Sequence, residues 1–286
     1  MKISVSSYSF SQYIRAGKLT QLECVARAKD MGFDAIEFTE LKGETLDEQK
    51  ALAIEIKKEA ERVGIEINAY TIGANLYHEC AEDSEREVAR LCGQLEVAKL
   101  LGASVLRHDV CYKLGKSGNA RSFELMLPTI AGNARRVTEY AETLGIRTCT
   151  ENHGFIAQDS DRVERLFNTV AHDNYGLLVD MGNFLCVDED PVRAVSRVAP
   201  YAVHVHAKDF IRFDEAVEGR TIMTRGANYI AGTVIGEGVV PVRQCLKILK
   251  RAGYDGYVSI EYEGREDCIA GIARGLDNLK RFMSEI

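Results

Sequence analysis

A chain of 286 residues with 46% hydrophobic and 28% charged residues has material for one large packed core and too little bias for disorder. Lys plus Arg number 36 against 43 Asp plus Glu, and the net charge of −7 argues against a general nucleic-acid or anionic-membrane binder. Eight cysteines (Cys24, Cys80, Cys92, Cys111, Cys149, Cys186, Cys245, Cys268) stand singly, which disfavours structural zinc and fits a reducing compartment.

The chain opens by alternating Ser with apolar residues from Ile3 to Phe10. This is not the continuous apolar core of a signal peptide, and no later stretch reaches membrane-spanning length. A soluble, cytoplasmic protein is expected. Strand-like runs are predicted at Ile3–Phe10, Ala35–Thr39, Glu66–Ile72, Ser104–Asp109, Arg147–His153, Tyr175–Asp180, Ala202–Lys208 and Tyr257–Glu263. Helical patterns lie near Leu19–Met31, Leu46–Val63, Glu85–Leu101, Phe123–Leu144, Arg162–Ala171, Pro191–Ala199, Val242–Ala252 and Asp267–Met283. Gly32, Gly64, Gly102, Gly145 and Gly253 follow helical patterns, where left-handed caps are cheap.

Parallel strands need helical crossovers, so this alternation predicts an α/β fold, a single (β/α)8 TIM barrel spanning residues 1–286. An open doubly wound sheet binding a dinucleotide would want a Gly-rich first turn, and Ser11-Gln12-Tyr13-Ile14 has none. The Gly- and Thr-containing stretch Phe210–Val240 follows the seventh strand and is expected to be an irregular lid or substrate loop.

Four late strands end in groups that are expensive to bury alone: Glu151-Asn152-His153, Asp180-Met181-Gly182-Asn183, His204-Val205-His206-Ala207-Lys208 and Glu261-Tyr262-Glu263. Strand alternation turns His204, His206 and Lys208 toward the barrel axis, together with Ser259, Glu261 and Glu263. Glu151, Asp180, His206 and Glu261 then converge at one mouth. Three adjacent carboxylates repel, and Lys208, the one nearby cation on these strands, does not balance them. A single divalent ion does: Mn, Mg or Co suits this hard donor set, and Zn is admissible. His204 lies deeper and is expected to orient a ligand.

These residues resemble the xylose isomerase-like TIM-barrel superfamily of sugar isomerases and epimerases. That group includes inosose isomerases and dehydratases, ketose 3-epimerases, hydroxypyruvate isomerases and, further off, AP endonucleases. The resemblance covers essentially the whole chain and is most specific in Thr150–Gly154, Asp180–Asn183, His204–Asp209, Gly236–Val240 and Glu261–Gly264. It implies Glu151, Asp180, His206 and Glu261 as metal ligands. The 3-epimerase pattern has a His three residues after the metal Asp, whereas this chain has Asn183.

The chemistry expected is proton removal from carbon next to a carbonyl, with the cation stabilising the enediolate oxygen. Glu151 and Glu261 are the expected acid–base pair on opposite sides of the substrate, with His108 as a further candidate base oriented by Arg107 or Asp109. His153, Asn183 and Lys208 are expected to bind substrate, with Tyr8, Phe10, Glu37, Glu40, Asn75 and Tyr77 shaping the pocket. Arg212, Arg220 and Arg225 are candidates for holding a phosphate. The partner expected is a small sugar or cyclitol, and not nucleic acid or membrane; a homo-oligomer is compatible with the sequence. Isomerisation or epimerisation leads, a lyase or dehydratase using the same proton abstraction is the alternative, and a binding-only barrel ranks last.

Overall fold

The computed structural model describes residues 1–286. Eight parallel strands close into a barrel: β1 (Lys2–Ser6), β2 (Ala35–Thr39), β3 (Glu66–Ile72), β4 (Val105–His108), β5 (Arg147–Glu151), β6 (Tyr175–Asp180), β7 (Ala202–Ala207) and β11 (Tyr257–Ile260). Closure is made where β1 pairs with both β2 and β11, setting Ser6 beside Glu37 and Val5 beside Ile260. The outer ring is α2 (Gln21–Asp30), α3 (Leu46–Val63), α4 (Ala81–Leu101), α5 (Phe123–Thr143), α6 (Ser160–Val170), α7 (Pro191–Val198), α8 (Val242–Arg251) and α9 (Cys268–Ser284). The predicted TIM barrel is the observed fold. No helix is long and apolar enough to cross a membrane, and all eight cysteines are free.

Local chemistry explains the elements. The α3 helix starts at Thr45, whose side chain accepts from Glu48 N at 3.2 Å, and ends at Gly64 with φ of 71°. Its Ala53, Ile56 and Ala60 are buried. A fully buried side chain such as Ile56 is worth about 1.5–3 kcal/mol relative to exposure. Outward strand residues such as Val205, Ala207, Val258 and Ile260 join the same core between barrel and helices.

The strand ends differ from expectation in a consistent way. The first, fifth and eighth strands stop at Ser6, Glu151 and Ile260, short of the predicted Phe10, His153 and Glu263. At β1 the Ser6 hydroxyl accepts from Tyr8 N, turning Ser7–Phe10 into a short 3-10 helix that leads into α1 (Ser11–Arg15). Asn152, His153, Glu261 and Glu263 therefore sit on loops at the C-terminal rim, where a barrel carries its chemistry, while Glu151, Asp180 and His206 stay in their strands.

The stretch Phe210–Val240 is not irregular throughout. Strands β8 (Asp209–Phe213), β9 (Ile222–Met223) and β10 (Tyr229–Thr233) form an antiparallel sheet beside the mouth. Its return is fixed by Asp209, whose carboxylate accepts from the backbone N–H groups of Phe210, Gly236, Gly238 and Val240 at 2.8–3.0 Å. A Cβ on Gly238 would collide with that carboxylate, which accounts for Gly at this place in the Gly236–Val240 motif.

Candidate metal centre

The barrel interior is polar where most barrels stack aliphatic layers. Ser4, Ser6, Glu37, Asn68, His204, His206 and Ser259 are all buried, and Asn68 donates to the Ser4 hydroxyl at 3.2 Å. Above them, one donor atom from each of Glu151, Asp180, His206 and Glu261 lies within 4.8 Å of the others, all four residues buried. Register explains the convergence. Asp180 and Ser259 are both beside His206 in the ladder, and Glu261 N continues it by donating to Ala207 O at 3.1 Å.

His206 Nδ1 is 3.6 Å from Glu261 Oε2 and 3.8 Å from both Glu151 Oε1 and Asp180 Oδ2. Its other nitrogen, Nε2, is 2.9 Å from Glu37 Oε1, and the remaining Glu37 oxygen is 2.5 Å from His204 Nε2. Both His206 Nδ1 and Asp180 Oδ2 are buried without a hydrogen bond. Buried polar atoms are rarely left so, and an imidazole nitrogen facing three carboxylate oxygens is a donor set that fits a divalent cation, which would displace the imidazolium proton.

The charges are arranged in pairs around this cluster. Lys208 Nζ lies 2.5 Å from Glu261 Oε2, 3.3 Å from Asp180 Oδ2 and 3.4 Å from Glu263 Oε1. Lys208 is the one nearby cation from the four late strands, as expected, and a second cation comes from β4. Arg107, inward on β4, bonds the Glu151 carboxylate and sits 3.5 Å from Asp109 Oδ2. Burial pushes the Asp180 carboxyl up to about 6, with Lys208 opposing and Glu151 and Glu261 adding to it. Burial acts the same way on Glu261, but Lys208 and His206 outweigh it and hold that carboxyl well below the usual range. Burial disfavours charge on His206 too, yet Glu37 and Glu261 raise its pKa well above the ordinary value.

Three expected substrate contacts line one cavity of about 630 Å³: His153, Asn183 and Lys208; none of the four cluster residues lines it, and Asn183 and Lys208, in contact with Glu151 and Glu261, connect the two. Asn183 is a bridge, donating Nδ2 to Glu151 Oε1 at 2.8 Å and accepting from Lys208 Nζ at 3.1 Å. His153 is partly exposed, and its Nδ1 is 3.0 Å from Asp109 Oδ1. Burial lowers the His153 pKa, but the bond to Asp109 and that carboxylate's charge raise it overall.

His108 is not brought to the cluster. Alternation that turns Arg107 inward turns His108 outward, toward Tyr175, which stacks on Phe167 of α6. Its Nδ1 meets its neighbour's carbonyl, Asp109 O, at 2.9 Å, and burial lowers its pKa. Asp109 orients His153 instead of His108. Glu37 lies beneath the metal cluster and Phe10 is in the core, so neither shapes the pocket wall. Glu40 pairs with Arg90 at 3.7 Å, and Asn75 and Tyr77 line a separate side cavity of about 480 Å³. Tyr8 does line the main cavity.

The candidate phosphate arginines have other placements. Arg225 donates to Asp159 Oδ2 at 2.8 Å and to Phe155 O, Arg220 stacks on Phe213, and Arg212 is exposed; none lines the main cavity. The arginines that do line it, Arg15 and Arg265, were not singled out by the sequence pattern.

A closed parallel barrel with a buried cluster of three acids and an imidazole at its C-terminal mouth defines the class: a TIM-barrel protein with a candidate metal centre. The chain belongs to the xylose isomerase-like TIM barrel family, whose pattern matches residues 25–282. Among curated relatives, the rhizopine catabolism protein MocC of Rhizobium meliloti is 28% identical over 255 residues, covering 84% of this chain and 74% of its own. The inosose dehydratase of Lacticaseibacillus casei is 26% identical over 137 residues, covering 47% of this chain and 46% of its own. The chain thus spans about half the length of the inosose dehydratases it matches. Two solved structures share the fold across the chain, each with a TM-score of 0.77. One is the IolI protein with a bound zinc atom, at 17% identity and covering 100% of this chain and 99% of its own. The other is D-psicose 3-epimerase with D-tagatose from Clostridium cellulolyticum H10, at 15% identity and covering 99% of each chain.

Proposed function

We propose that this protein is a divalent-metal-dependent isomerase or epimerase of a small keto-sugar or cyclitol, working by proton transfer at carbon next to a carbonyl. The observation that carries this reading is the buried quartet Glu151, Asp180, His206 and Glu261, connected to a polar cavity through Asn183 and Lys208. These four would hold the ion, which when bound polarises the substrate carbonyl and stabilises negative charge developing on its oxygen. Glu151 and Glu261, on strands far apart around the barrel, flank the reacting carbon; one takes the proton and the other returns it. Arg107 and Asn183 hold Glu151 in place, as Lys208 holds Glu261. Lys208 and Asn183 also present polar atoms to substrate hydroxyls from the cavity wall. His108, facing the helical layer, has no part in this scheme.

A second reading, a dehydratase, has its own support. The Asp109 carboxylate raises the His153 pKa, which keeps more of this cavity-lining imidazole protonated near neutral pH, as a leaving hydroxyl requires. The relation to inosose dehydratase points the same way.

The deciding experiment incubates manganese-loaded protein with an inosose and a panel of ketoses in deuterated water. A product of unchanged mass apart from deuterium favours isomerisation, and loss of water favours the dehydratase. Turnover that survives exhaustive chelation, or no deuterium uptake into any substrate, would reject proton abstraction at a metal site.

A further inference from the structure

The cavity that Asn183 and Lys208 connect to the metal quartet has a second chemical feature, on the wall made by α1 and the loop after β11. Arg15 and Arg265 both line it, and neither has a salt bridge or a hydrogen bond. Sequence neighbours do not neutralise them. Glu266 is drawn away by Arg274 at 2.6 Å, and Arg274 is further paired with Glu237. Asp267 accepts from Tyr13 Oη at 2.6 Å and caps α9 by accepting from Ala270 N at 3.1 Å. Glu263, the remaining acid on this wall, is turned to Lys208.

The two guanidiniums are carried by segments that are locked together. Gln12 donates to Gly264 O at 3.0 Å and to Glu266 O at 2.9 Å, while its Oε1 accepts from Cys268 N at 3.0 Å. Gln12 thereby uses both amide hydrogens and its carbonyl oxygen to hold the Gly264–Cys268 loop against α1, and the Tyr13–Asp267 bond adds a second tie. The other residues that the segment ending at Arg15 gives to this cavity are neutral and polar: Tyr8, Ser9, Ser11 and Gln12. In a chain of net charge −7, two unpaired guanidiniums lining one cavity suit an oxyanion, because the planar fork of Arg matches carboxylate and phosphate oxygens.

We propose that the substrate carries an oxyanion, a phosphate or a carboxylate, which Arg15 and Arg265 bind while its keto end faces the metal quartet. This rests on the reading of the cavity as a keto-sugar or cyclitol site and narrows its substrate class.

Unreactive probes test this without turnover. Calorimetric titration of the manganese-loaded protein with D-sorbitol, D-sorbitol 6-phosphate, D-gluconate and inorganic phosphate at low salt separates the contributions. At least one of the two charged polyols is expected to bind about tenfold or more tightly than sorbitol, the size of one charge-assisted contact. Preference for sorbitol 6-phosphate identifies a phosphate, and preference for gluconate a carboxylate. The double variant R15Q/R265Q is expected to erase the preference, and both side chains are exposed enough for the fold to tolerate it. Equal affinity for charged and neutral polyols, measurable or not, overturns the proposal, as does a preference that survives R15Q/R265Q. Inorganic phosphate binding as tightly as sorbitol 6-phosphate also overturns it, because the anion would then sit independently of a sugar. Glu261→Gln isolates the other reading: with the unreactive keto compound 1-deoxy-D-fructose 6-phosphate added as a probe, an affinity unchanged in that variant counts against the metal quartet as the keto end's site and leaves the oxyanion preference standing.

Discussion

Glu37 and His206 face one another inside the barrel, Oε1 to Nε2 at 2.9 Å, directly beneath the acid cluster. A proton on Nε2, the nitrogen facing Glu37, would leave the Nδ1 lone pair for an ion, with Glu37 orienting the ring from below. The same carboxylate holds His204, so one buried acid organises two imidazoles. Burial would raise the Glu37 pKa, but the two histidines overcome this and hold it well below the carboxylate range. Glu37→Gln is therefore expected to weaken divalent-metal affinity by about 10–100-fold, the usual effect of losing a ligand's orienting partner. Competition between the protein and a chelator for manganese measures it, and unchanged affinity would show that His206 needs no such support.

Lys208 stands among three acids, and its charge and the ion's do partly the same work. Lys208→Met leaves Asp180, Glu261 and Glu263 with less compensation and is expected to cost the metal-free protein about 3–5 kcal/mol, as for a broken buried ion pair. Added manganese should then raise the melting temperature of the variant more than that of the wild type. Scanning calorimetry with and without the ion reads both effects. An equal shift in the two proteins would mean that lysine and ion do not share the acids.

Asp109 gives a pH dependence with a definite sign. Burial raises its pKa, but Arg107 and His153 outweigh it and lower the group to about 2 from an unfolded value near 3.8. A depressed acid stabilises the fold above its unfolded pKa, and this is lost as pH falls through the folded pKa. The difference is about 2–3 kcal/mol at neutral pH. Asp109→Asn should be less stable than wild type by that amount at pH 7, with the gap closing between about pH 4 and pH 2. The raised pKa of His153 works oppositely, its stabilisation being complete below the unfolded histidine value near 6.5 and lost as pH rises through the folded one. NMR titration of His153 should thus find its pKa lowered in Asp109→Asn. Urea unfolding that shows a pH-independent gap would rule out this assignment.

The barrel was legible because its signals are local and repeated: apolar strand, amphipathic helix, capping glycine. The quartet was legible through strand alternation alone, which turns His206 and Glu261 inward at matching depth. Alternation also held the clue to Arg107, since β5 faces inward at Cys149 and Glu151 and the register sets Arg107 beside Cys149. That clue was outweighed by the adjacent His108, a more familiar base. Glu37 stood out as a lone acid in Ala35-Ile36-Glu37-Phe38-Thr39, yet its partners are 167 and 169 positions away, a pairing that only barrel closure creates. Arg15 and Arg265 lacked any sequence signal, because being unpaired depends on where Glu266 and Asp267 turn.

Asp188 fastens the sheet beside the mouth. It accepts from Thr224 Oγ1 at 2.8 Å and Asn228 Nδ2 at 2.7 Å, and from Gly226 N, so the turn joining β9 to β10 closes over it. Arg225 in the same turn is tied to Asp159 and, through its N–H, to Cys186 O at 2.8 Å. Ile222 and Cys186 line the main cavity, so the strap positions part of its wall. Asp188 has a φ of 60°, and Asp188→Gly removes the acceptors without straining the backbone. Because Asp188 is exposed, global stability should change by no more than about 1 kcal/mol. Local opening should grow instead, with protease cleavage within residues 214–228 rising about tenfold, the effect of losing roughly one net hydrogen bond's worth of local stability. Cleavage at the wild-type rate would mean that Arg225 and the β8–β10 pairing hold the strap by themselves.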